Sequence, residues 1–179
     1  MNGLLVFEPA VFEDSRGYFF EAYNANALAA EGVDITFVQD NQSKSSYGVI
    51  RGLHYQLHPH AQTKLVRVLQ GSILDVAVDI RKGSPTFGKH YTIELTAENR
   101  KQLLIPHGFA HGFSVLSETA VVLYKCDQFY NKASEGGIIY NDPSLEIDWK
   151  IPVGKEIVSE KDIALPGFLQ WFNNFQINE

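Results

Sequence analysis

The chain of 179 residues has a single cysteine, Cys126, and no apolar run reaches the ~18 residues that a membrane-spanning helix needs. One cysteine cannot form an internal disulfide, which fits a reducing, cytoplasmic setting. The N-terminus lacks a basic stretch followed by a long apolar one, so we expect no signal peptide. Positive charge is also scarce, and the net charge is −6. This disfavours a nucleic-acid partner, which needs a basic field, but allows a small phosphorylated ligand held by local arginines.

The sequence is rich in short β-like runs. These runs contain many Val, Ile, Tyr and Phe residues and are broken by Gly or Pro. The predicted strands span 4–8, 18–23, 36–43, 49–56, 64–70, 73–81, 90–95, 101–105, 111–116 and 120–129. Their close spacing predicts an all-β sandwich or barrel, and the length predicts one domain over 1–179. Two helices are predicted, over 25–30 and over 167–175, because the aromatic residues of the second range share one helical face.

The predicted strand 73–81 indicates what the interior holds. Leu74, Val76 and Val78 give it one apolar face, while Asp75 and Asp79 lie on the other. A strand with this pattern fits a barrel whose cavity is polar. Exposure of the Asp75 face to solvent is an equally open interpretation of one strand.

Two motifs carry candidate site residues, in the stretches RGLHYQLHPHAQTKLVRVLQG and PHGFAHGF. They have the spacings His-x-His-x3-Lys-x6-Gly and Pro-x-Gly-x2-His, and their members are His58, His60, Lys64, Gly71, Pro106, Gly108 and His111. The pair resembles the motifs of the cupin β-barrels, in which a metal-binding glutamate usually stands at the lysine position. A cation cannot ligate a cation, so Lys64 predicts no metal and an anionic or enolate-like species nearby.

Strand geometry groups some candidates and separates others. His54 and Gln56, in VIRGLHYQ, share one strand face, and Arg51 lies on the opposite face unless a bulge intervenes. His111 either is a packed histidine with a satisfied hydrogen bond or pairs with a carboxylate, for which Asp75 is the candidate. For His54, too, a packed or surface role stays open.

Three further residues stand at element ends. Arg16, in DSRG just before a strand, is placed to bridge a phosphate or simply to form a turn. Tyr130 follows a strand, where a phenol can donate a proton or pack. Asp162, in SEKD, could cap a turn.

The order of RGLHYQ, KLVRV, SPTFG, PHGFAHGF, YNDPSLEIDW and SEKD is similar to that of the dTDP-4-dehydrorhamnose 3,5-epimerases. The resemblance covers nearly the whole chain. It implies a cupin-like jelly-roll β-barrel, a homodimer, no metal and no organic cofactor. It also implies the substrate dTDP-4-dehydro-6-deoxy-D-glucose.

The same resemblance implies roles for individual residues. His54 is expected to be the general base, Asp162 the carboxylate that orients it, Tyr130 the acid on the opposite sugar face, and Lys64 the group beside the C4 oxygen. Substrate contacts are expected from Arg16, Phe20, Glu21, Gln39, Asn41, Arg51, Asp75 and His111, with both arginines on the pyrophosphate.

Two alternatives stay open from the sequence. A related enzyme could epimerise one carbon only, or isomerise the keto group, with the same base. A cupin that binds a sugar without chemistry belongs to another class, and the joint presence of His54, Lys64, Tyr130 and Asp162 argues against it.

Overall fold

The computed structural model of the protein describes residues 1, 3–170 and 173–177. Its strands are β1 Leu5–Phe7, β2 Phe12–Asp14, β3 Gly17–Phe19, β4 Gln39–Ser46, β5 Ile50–Gln56, β6 Lys64–Gln70, β7 Ser72–Asp79, β8 His90–Thr96, β9 Gln102–Ile105, β10 Phe109–Val115, β11 Thr119–Cys126 and β12 Glu135–Gly137. The helices are α1 Ala25–Ala30 and α2 Glu160–Ile163, and a short 3₁₀ helix spans Lys132–Ser134. In this part of the chain no helix is long and apolar enough to cross a membrane.

Two five-stranded antiparallel sheets form a cupin-like jelly roll, as expected. The first sheet has the order β1-β9-β6-β11-β4, the second has β12-β5-β10-β7-β8, and β2 and β3 form a separate hairpin. Apolar side chains of both sheets meet in the interior, among them Val66 of β6 and Ile73 of β7. The first sheet is covered outside by α1, whose Leu28 packs on Leu65. The helix begins at Asn24, whose side chain accepts two free backbone N–H groups.

The C-terminal third of the chain covers the outer face of the second sheet. Leu74 and Val76 of β7 pack there with Trp149, Phe168 and Phe175. On the opposite face, Asp75 is fully buried and Ile73 packs in the interior. Strand β7 is therefore buried on both faces, and the solvent-exposed interpretation of the Asp75 face is wrong. Burial on both sides lets the inner face carry polar residues that solvent does not reach.

Each of the ten predicted strands overlaps an observed one, and β6 and α1 have the predicted bounds. The helix over 167–175 is wrong in its described part, since 167–170 include a turn and 173–175 are irregular. Two residues of that prediction, Trp171 and Phe172, lie outside the described residues. Phe168 and Phe175 are buried against the second sheet, so their spacing reflects contacts with the sheet. The short helix in this region is α2, just upstream.

Candidate active site

Two adjoining cavities of about 350 and 150 Å³ open between the sheets. Their shared lining comes from both sheets and consists of Asn41, His54, Lys64 and Tyr124. Together they form one space, the barrel cavity. Gln56, Tyr130 and Glu135 line its larger part, while Arg51 and His111 line its smaller part.

The cavity wall formed by β5 carries a histidine–carboxylate pair. His54 Nε2 lies 2.8 Å from Oδ1 of Asp162, which is buried at the start of α2. The second carboxylate oxygen accepts the Gly52 N–H at 3.3 Å. Burial raises the pKa of Asp162, but the hydrogen bond and charge of His54 outweigh it, so that pKa lies below its ordinary value. The carboxylate is therefore ionised at neutral pH and accepts from His54 Nε2–H.

A bulge in β5 brings Arg51 to the cavity side. His111 pairs with His54, whereas Phe113, two residues further along β10, pairs with Arg51, three residues back along β5. The extra residue turns Arg51 toward the face of His54, as the sequence allowed. The strands approach so closely here that a Cβ on Gly52 would lie 2.5 Å from the Gly112 Cα. Gly52 also has φ +123°, a conformation that L side chains rarely adopt.

Lys64 and Tyr124 approach the cavity from the first sheet, opposite the His54 strand. The Lys64 Nζ lies 5.9 Å from the centroid of the Tyr124 ring. Burial lowers the pKa of Lys64, and the nearby Cys126 and Asp75 partly counteract this. Burial also raises the pKa of Tyr124, which keeps its phenol protonated. A cation and a neutral proton donor thus face the histidine across the cavity.

His111 and Asp75 form the second pair that the sequence suggested. The His111 Nε2 lies 3.0 Å from both carboxylate oxygens of Asp75. The two residues come from the adjoining strands β10 and β7. Burial lowers the pKa of His111, although Asp75 acts in the opposite direction. The imidazole is therefore neutral near pH 7, with its Nε2–H directed at the carboxylate.

Tyr130 lies at the edge of the larger cavity and is 54% exposed. Its hydroxyl donates to Glu135 Oε2 at 3.0 Å, and Lys161 Nζ donates to the other oxygen at 2.6 Å. Sequence reasoning missed Glu135 because neither a strand nor a helix is predicted over 133–137. The segment is instead a 3₁₀ helix followed by β12, which pairs with β5. Its glycines conceal the strand, because Gly is rare in strands and marks close backbone approach.

Strand β4, whose sequence is polar throughout, supplies the cavity floor. Its residues alternate between half-buried and exposed, and Gln39 and Asn41 are on the half-buried side. Gln39 donates to Asn41 Oδ1 at 3.0 Å and accepts the Tyr130 N–H at 3.1 Å. The structure thus brings these two predicted contacts together with His54.

Arg16, Phe20 and Glu21 do not reach the barrel cavity of their own chain. The Arg67 guanidinium lies 5.8 Å from the Phe20 ring centroid, and Arg67 is next to Val66, whose side chain points inward. Because side chains alternate along a strand, Arg67 and Phe20 are on the outer face of the first sheet. Arg16 is exposed in the β2–β3 turn and binds Asp14. The structure therefore does not bring these three residues together with the barrel cavity of their own chain, and their role as substrate contacts stays a prediction.

The histidines of the cupin-like motif have other partners. His60 contacts Ser134 and Asn131, and His58 stacks near Phe175 with ring centroids 4.9 Å apart. Within the described ranges, no three His, Cys, Asp or Glu residues are grouped to hold a metal ion. That the reaction uses no metal stays a prediction.

The fold and the cavity define a jelly-roll protein built for acid–base chemistry, with a histidine–aspartate pair facing a lysine and a tyrosine. The chain belongs to the dTDP-4-dehydrorhamnose 3,5-epimerase family, whose model matches residues 1–170. It is 55% identical over 161 residues to the dTDP-4-dehydrorhamnose 3,5-epimerase of Shigella flexneri, which covers 89% of this chain and 88% of that protein.

Solved structures agree with this assignment. The crystal structure of the epimerase of the same description from Elizabethkingia anophelis superposes with a TM-score of 0.89 at 58% identity, over 94% of this chain and 92% of that one. A dTDP-6-deoxy-D-glucose-3,5-epimerase from Legionella pneumophila, in complex with dTDP-4-keto-L-rhamnose, gives 0.88 at 48% identity, over 93% and 88%.

Proposed function

We propose that the chain converts dTDP-4-dehydro-6-deoxy-D-glucose to dTDP-4-dehydro-L-rhamnose by epimerising C3 and C5. The observation that carries the proposal is the His54 ring, which lines the cavity while its Nε2 binds buried Asp162 at 2.8 Å. Family membership supports the choice of substrate. The reaction needs no redox step, because the C4 ketone acidifies the C–H bonds on both neighbouring carbons.

His54 is the proposed base. Since Nε2–H donates to Asp162, the lone pair on Nδ1 is free to take a proton from the sugar. Asp162 holds this tautomer and stabilises the imidazolium that forms, as the carboxylate of a hydrolase triad does. A positioned histidine of this kind contributes ~10²–10⁴-fold to the rate.

Lys64 is the proposed partner of the C4 oxygen. Proton abstraction places negative charge on that oxygen, and a fixed cation directed at it stabilises the intermediate. The lowered pKa of Lys64 means that its ammonium form is lost at a lower pH than that of an ordinary lysine. Activity should therefore decline on the alkaline side before ordinary lysines titrate.

The acid that returns the proton must stand across the sugar from His54. The family resemblance assigns this role to Tyr130, but one observation favours Tyr124. Tyr124 lines both parts of the cavity beside Lys64, on the sheet opposite His54, whereas Tyr130 is mostly exposed and donates to Glu135. Tyr130 is then suited to contact the nucleotide end of the substrate.

Polar groups around the cavity are the proposed substrate contacts. Arg51, exposed and held by Ser45 Oγ at 3.1 Å, is suited to the pyrophosphate. Gln39 and Asn41 offer amide groups, and His111 lines the inner end with Asp75 behind it. No metal or organic cofactor is part of the proposal.

The outward position of Arg16, Phe20 and Glu21 fits a homodimer in which the β2–β3 hairpin reaches the partner's cavity. The hairpin exposes Phe12 and Phe19, 65% and 66% respectively, which is costly for a monomer surface and ordinary for an interface. Ultracentrifugation tests the dimer. Mixing Arg16→Ala with His54→Ala chains tests the crossing. Each mixed dimer would have one site with an intact cavity and an intact hairpin, so a random equal mixture would regain about a quarter of all its sites. Recovery of no activity would contradict the crossing.

A single domain over 1–179 and a cytoplasmic location complete the proposal. Both sheets share an interior apolar cluster, and Cys126 is buried as a free thiol. A protein without disulfides fits a reducing compartment. Limited proteolysis that releases two stable fragments, or recovery of the protein outside the cytoplasm, would contradict these two statements.

Incubation with the dTDP-keto-sugar in D₂O, followed by NMR, tests the reaction. Deuterium at C3 and C5 with inversion supports the proposal. Deuterium at one carbon identifies the single-carbon relative, and a shifted keto group identifies the isomerase. No exchange, with binding retained, leaves a sugar-binding protein.

A further inference from the structure

Residues 129–134, which we name the mouth loop, carry Tyr130 at the edge of the barrel cavity. Gln56, a buried residue of β5, accepts the Asn131 N–H at 2.7 Å. The same side chain donates to the His60 carbonyl at 2.8 Å. The loop is thus joined to the turn that contains His60 by a side chain from the cavity wall.

The His60 ring makes two contacts of its own with the mouth loop. Its Nδ1 lies 2.9 Å from Ser134 Oγ, and its Nε2 lies 3.3 Å from Asn131 Nδ2. The other amide atom of Asn131, Oδ1, accepts the Ala133 N–H at 2.9 Å and caps the 3₁₀ helix. That cap fixes the amide orientation, so Nδ2, a donor, faces the ring. Nε2 must therefore accept, and Nδ1 carries the hydrogen and donates to Ser134.

We propose that His60 is a positioning residue that holds the mouth loop through its neutral, Nδ1-protonated ring. The consequence for turnover rests on the proposed function, because it concerns Tyr130, but the holding of the loop does not. His60 belongs to the cupin-like spacing, but the catalytic scheme does not use this histidine. Its ring bridges both ends of the 3₁₀ helix that follows Tyr130.

Protonation of His60 would oppose this arrangement. A second N–H on Nε2 would face the Asn131 NH₂ group, and the amide cannot turn without losing its cap on Ala133. Among the described residues, the hydrogen-bond partners of the ring are the neutral groups of Ser134 and Asn131. The titratable groups of the loop and of β12 are Tyr130 and Glu135, which bind each other, and Lys132, which is exposed. The mouth loop should therefore loosen when acid protonates the ring.

Hydrogen exchange of the ligand-free protein tests the holding of the loop. His60→Ala should lower the protection factors of the loop amides about fivefold to thirtyfold, the equivalent of one or two net hydrogen bonds. The matched control is His58→Ala, on the other side of Pro59, whose ring contacts Phe175 instead. It should leave loop protection unchanged. Equal protection in His60→Ala and the wild type would overturn the proposal.

Asn131→Asp supplies a readout that a merely structural role would not alter. The carboxylate keeps the cap on Ala133 but replaces the donor that faces Nε2 with an acceptor. A protonated His60 then fits the site better than a neutral one. Protection of the loop should fall with decreasing pH in the wild type and rise in Asn131→Asp. The same pH trend in both proteins would overturn the proposed tautomer.

Turnover completes the test and separates the proposal from the reaction. His60→Ala should raise KM about fivefold to thirtyfold, while kcat changes less than about twofold, because Tyr130 contacts substrate and His54 does the chemistry. A loss of kcat at unchanged KM would contradict the positioning role. If the wild type fails to epimerise the dTDP-sugar at all, the proposed function fails, and the exchange measurements still decide on the loop.

Discussion

The two histidines that line the barrel cavity, His54 and His111, are each paired with an aspartate, and the two pairs differ in burial. The His54 side chain is 34% exposed and that of Asp162 is 6% exposed, whereas His111 and Asp75 are 7% and 0% exposed. His54 and Asp162 are 108 residues apart in sequence, while His111 and Asp75 are on neighbouring strands. The same two residue types thus occupy an accessible site and a closed one.

The difference indicates which pair can act as a base. A base must meet substrate on one side and return its proton to solvent between turnovers, which half-exposed His54 can do. His111 has a pKa lowered by burial, so it is a poor proton acceptor and a good neutral hydrogen-bond partner. Its place at the inner end of the cavity fits orientation of the sugar.

The largest expected effect comes from removing the histidine of the accessible pair. His54→Ala should abolish deuterium exchange at C3 and C5, lowering kcat by about 10²–10⁴-fold. Binding of dTDP and the circular dichroism spectrum should stay near those of the wild type. His58→Ala serves as control, with turnover within about twofold. Undiminished turnover in His54→Ala would remove His54 from the mechanism.

Next comes the loss of the orienting carboxylate. Asp162→Asn should lower kcat by about 10²-fold or more, toward the ~10⁴-fold of a mis-oriented histidine in a protease triad. The double variant with His54→Asn should be no slower than His54→Asn alone, because the pair acts as a unit. Effects that multiply in single-turnover kinetics would show that Asp162 acts independently of His54.

Variants of the two tyrosines identify which phenol lies opposite the accessible pair and returns the proton. Tyr124→Phe should keep exchange by His54 but lower inverted product about 10²-fold, because the returning proton is lost. Tyr130→Phe should mainly raise KM, by about tenfold. NMR of exchange and inversion in D₂O separates them. The opposite outcome, with inversion lost only in Tyr130→Phe, would assign the acid role to Tyr130.

The buried His111–Asp75 pair should affect how the free energy of unfolding depends on pH. His111 is neutral in the folded protein, with its pKa below the ordinary 6.5, and takes up a proton on unfolding. The unfolded state then binds more protons, so stability falls as pH drops below about 6.5, by up to ~1.4 kcal/mol per pH unit. His111→Gln, which keeps a donor for Asp75, should flatten this dependence in urea titrations. An unchanged slope would indicate that His111 is already charged when folded.

The smallest expected effect is that of chelation. Lys64 stands where cupins carry a metal-binding glutamate, so removal of divalent metals should leave kcat within about twofold of its untreated value. Elemental analysis of the purified protein accompanies the assay. Stoichiometric metal together with activity lost in chelator would mean that the motif histidines bind an ion after all.

Local patterns predicted much of the fold, whereas the pairing of His54 with Asp162 was implied only by the family resemblance. The run 64–70 is rich in Val and Leu and is followed by Gly71, which predicts a strand, and β6 has those bounds. His54 was identifiable from its motif, but its bond to Asp162 depends on the C-terminal segment crossing the second sheet, which no local pattern encodes. The Asp75 face of β7 could not be separated from an exposed one because the residues that cover it, such as Leu103 and Val122, come from other strands.

The errors have the same cause. The aromatic spacing of 167–175 imitates a helix, although Phe168 and Phe175 are placed by contact with the sheet. Glu135 begins a strand of glycines that exists only because β5 pairs with it. Arg51 is turned inward by a bulge whose position depends on the approach of Gly52 to Gly112. Each of these features is decided by a partner strand or segment.

The distance along the chain between His54 and Asp162 also has a consequence during synthesis. The carboxylate comes 108 residues after the histidine. At a translation rate of about 5–20 residues per second, the histidine is made roughly five to twenty seconds before its partner. A nascent chain on the ribosome can therefore form much of the barrel while its base is still unoriented. The enzyme becomes competent only when the last third of the chain has closed over the second sheet.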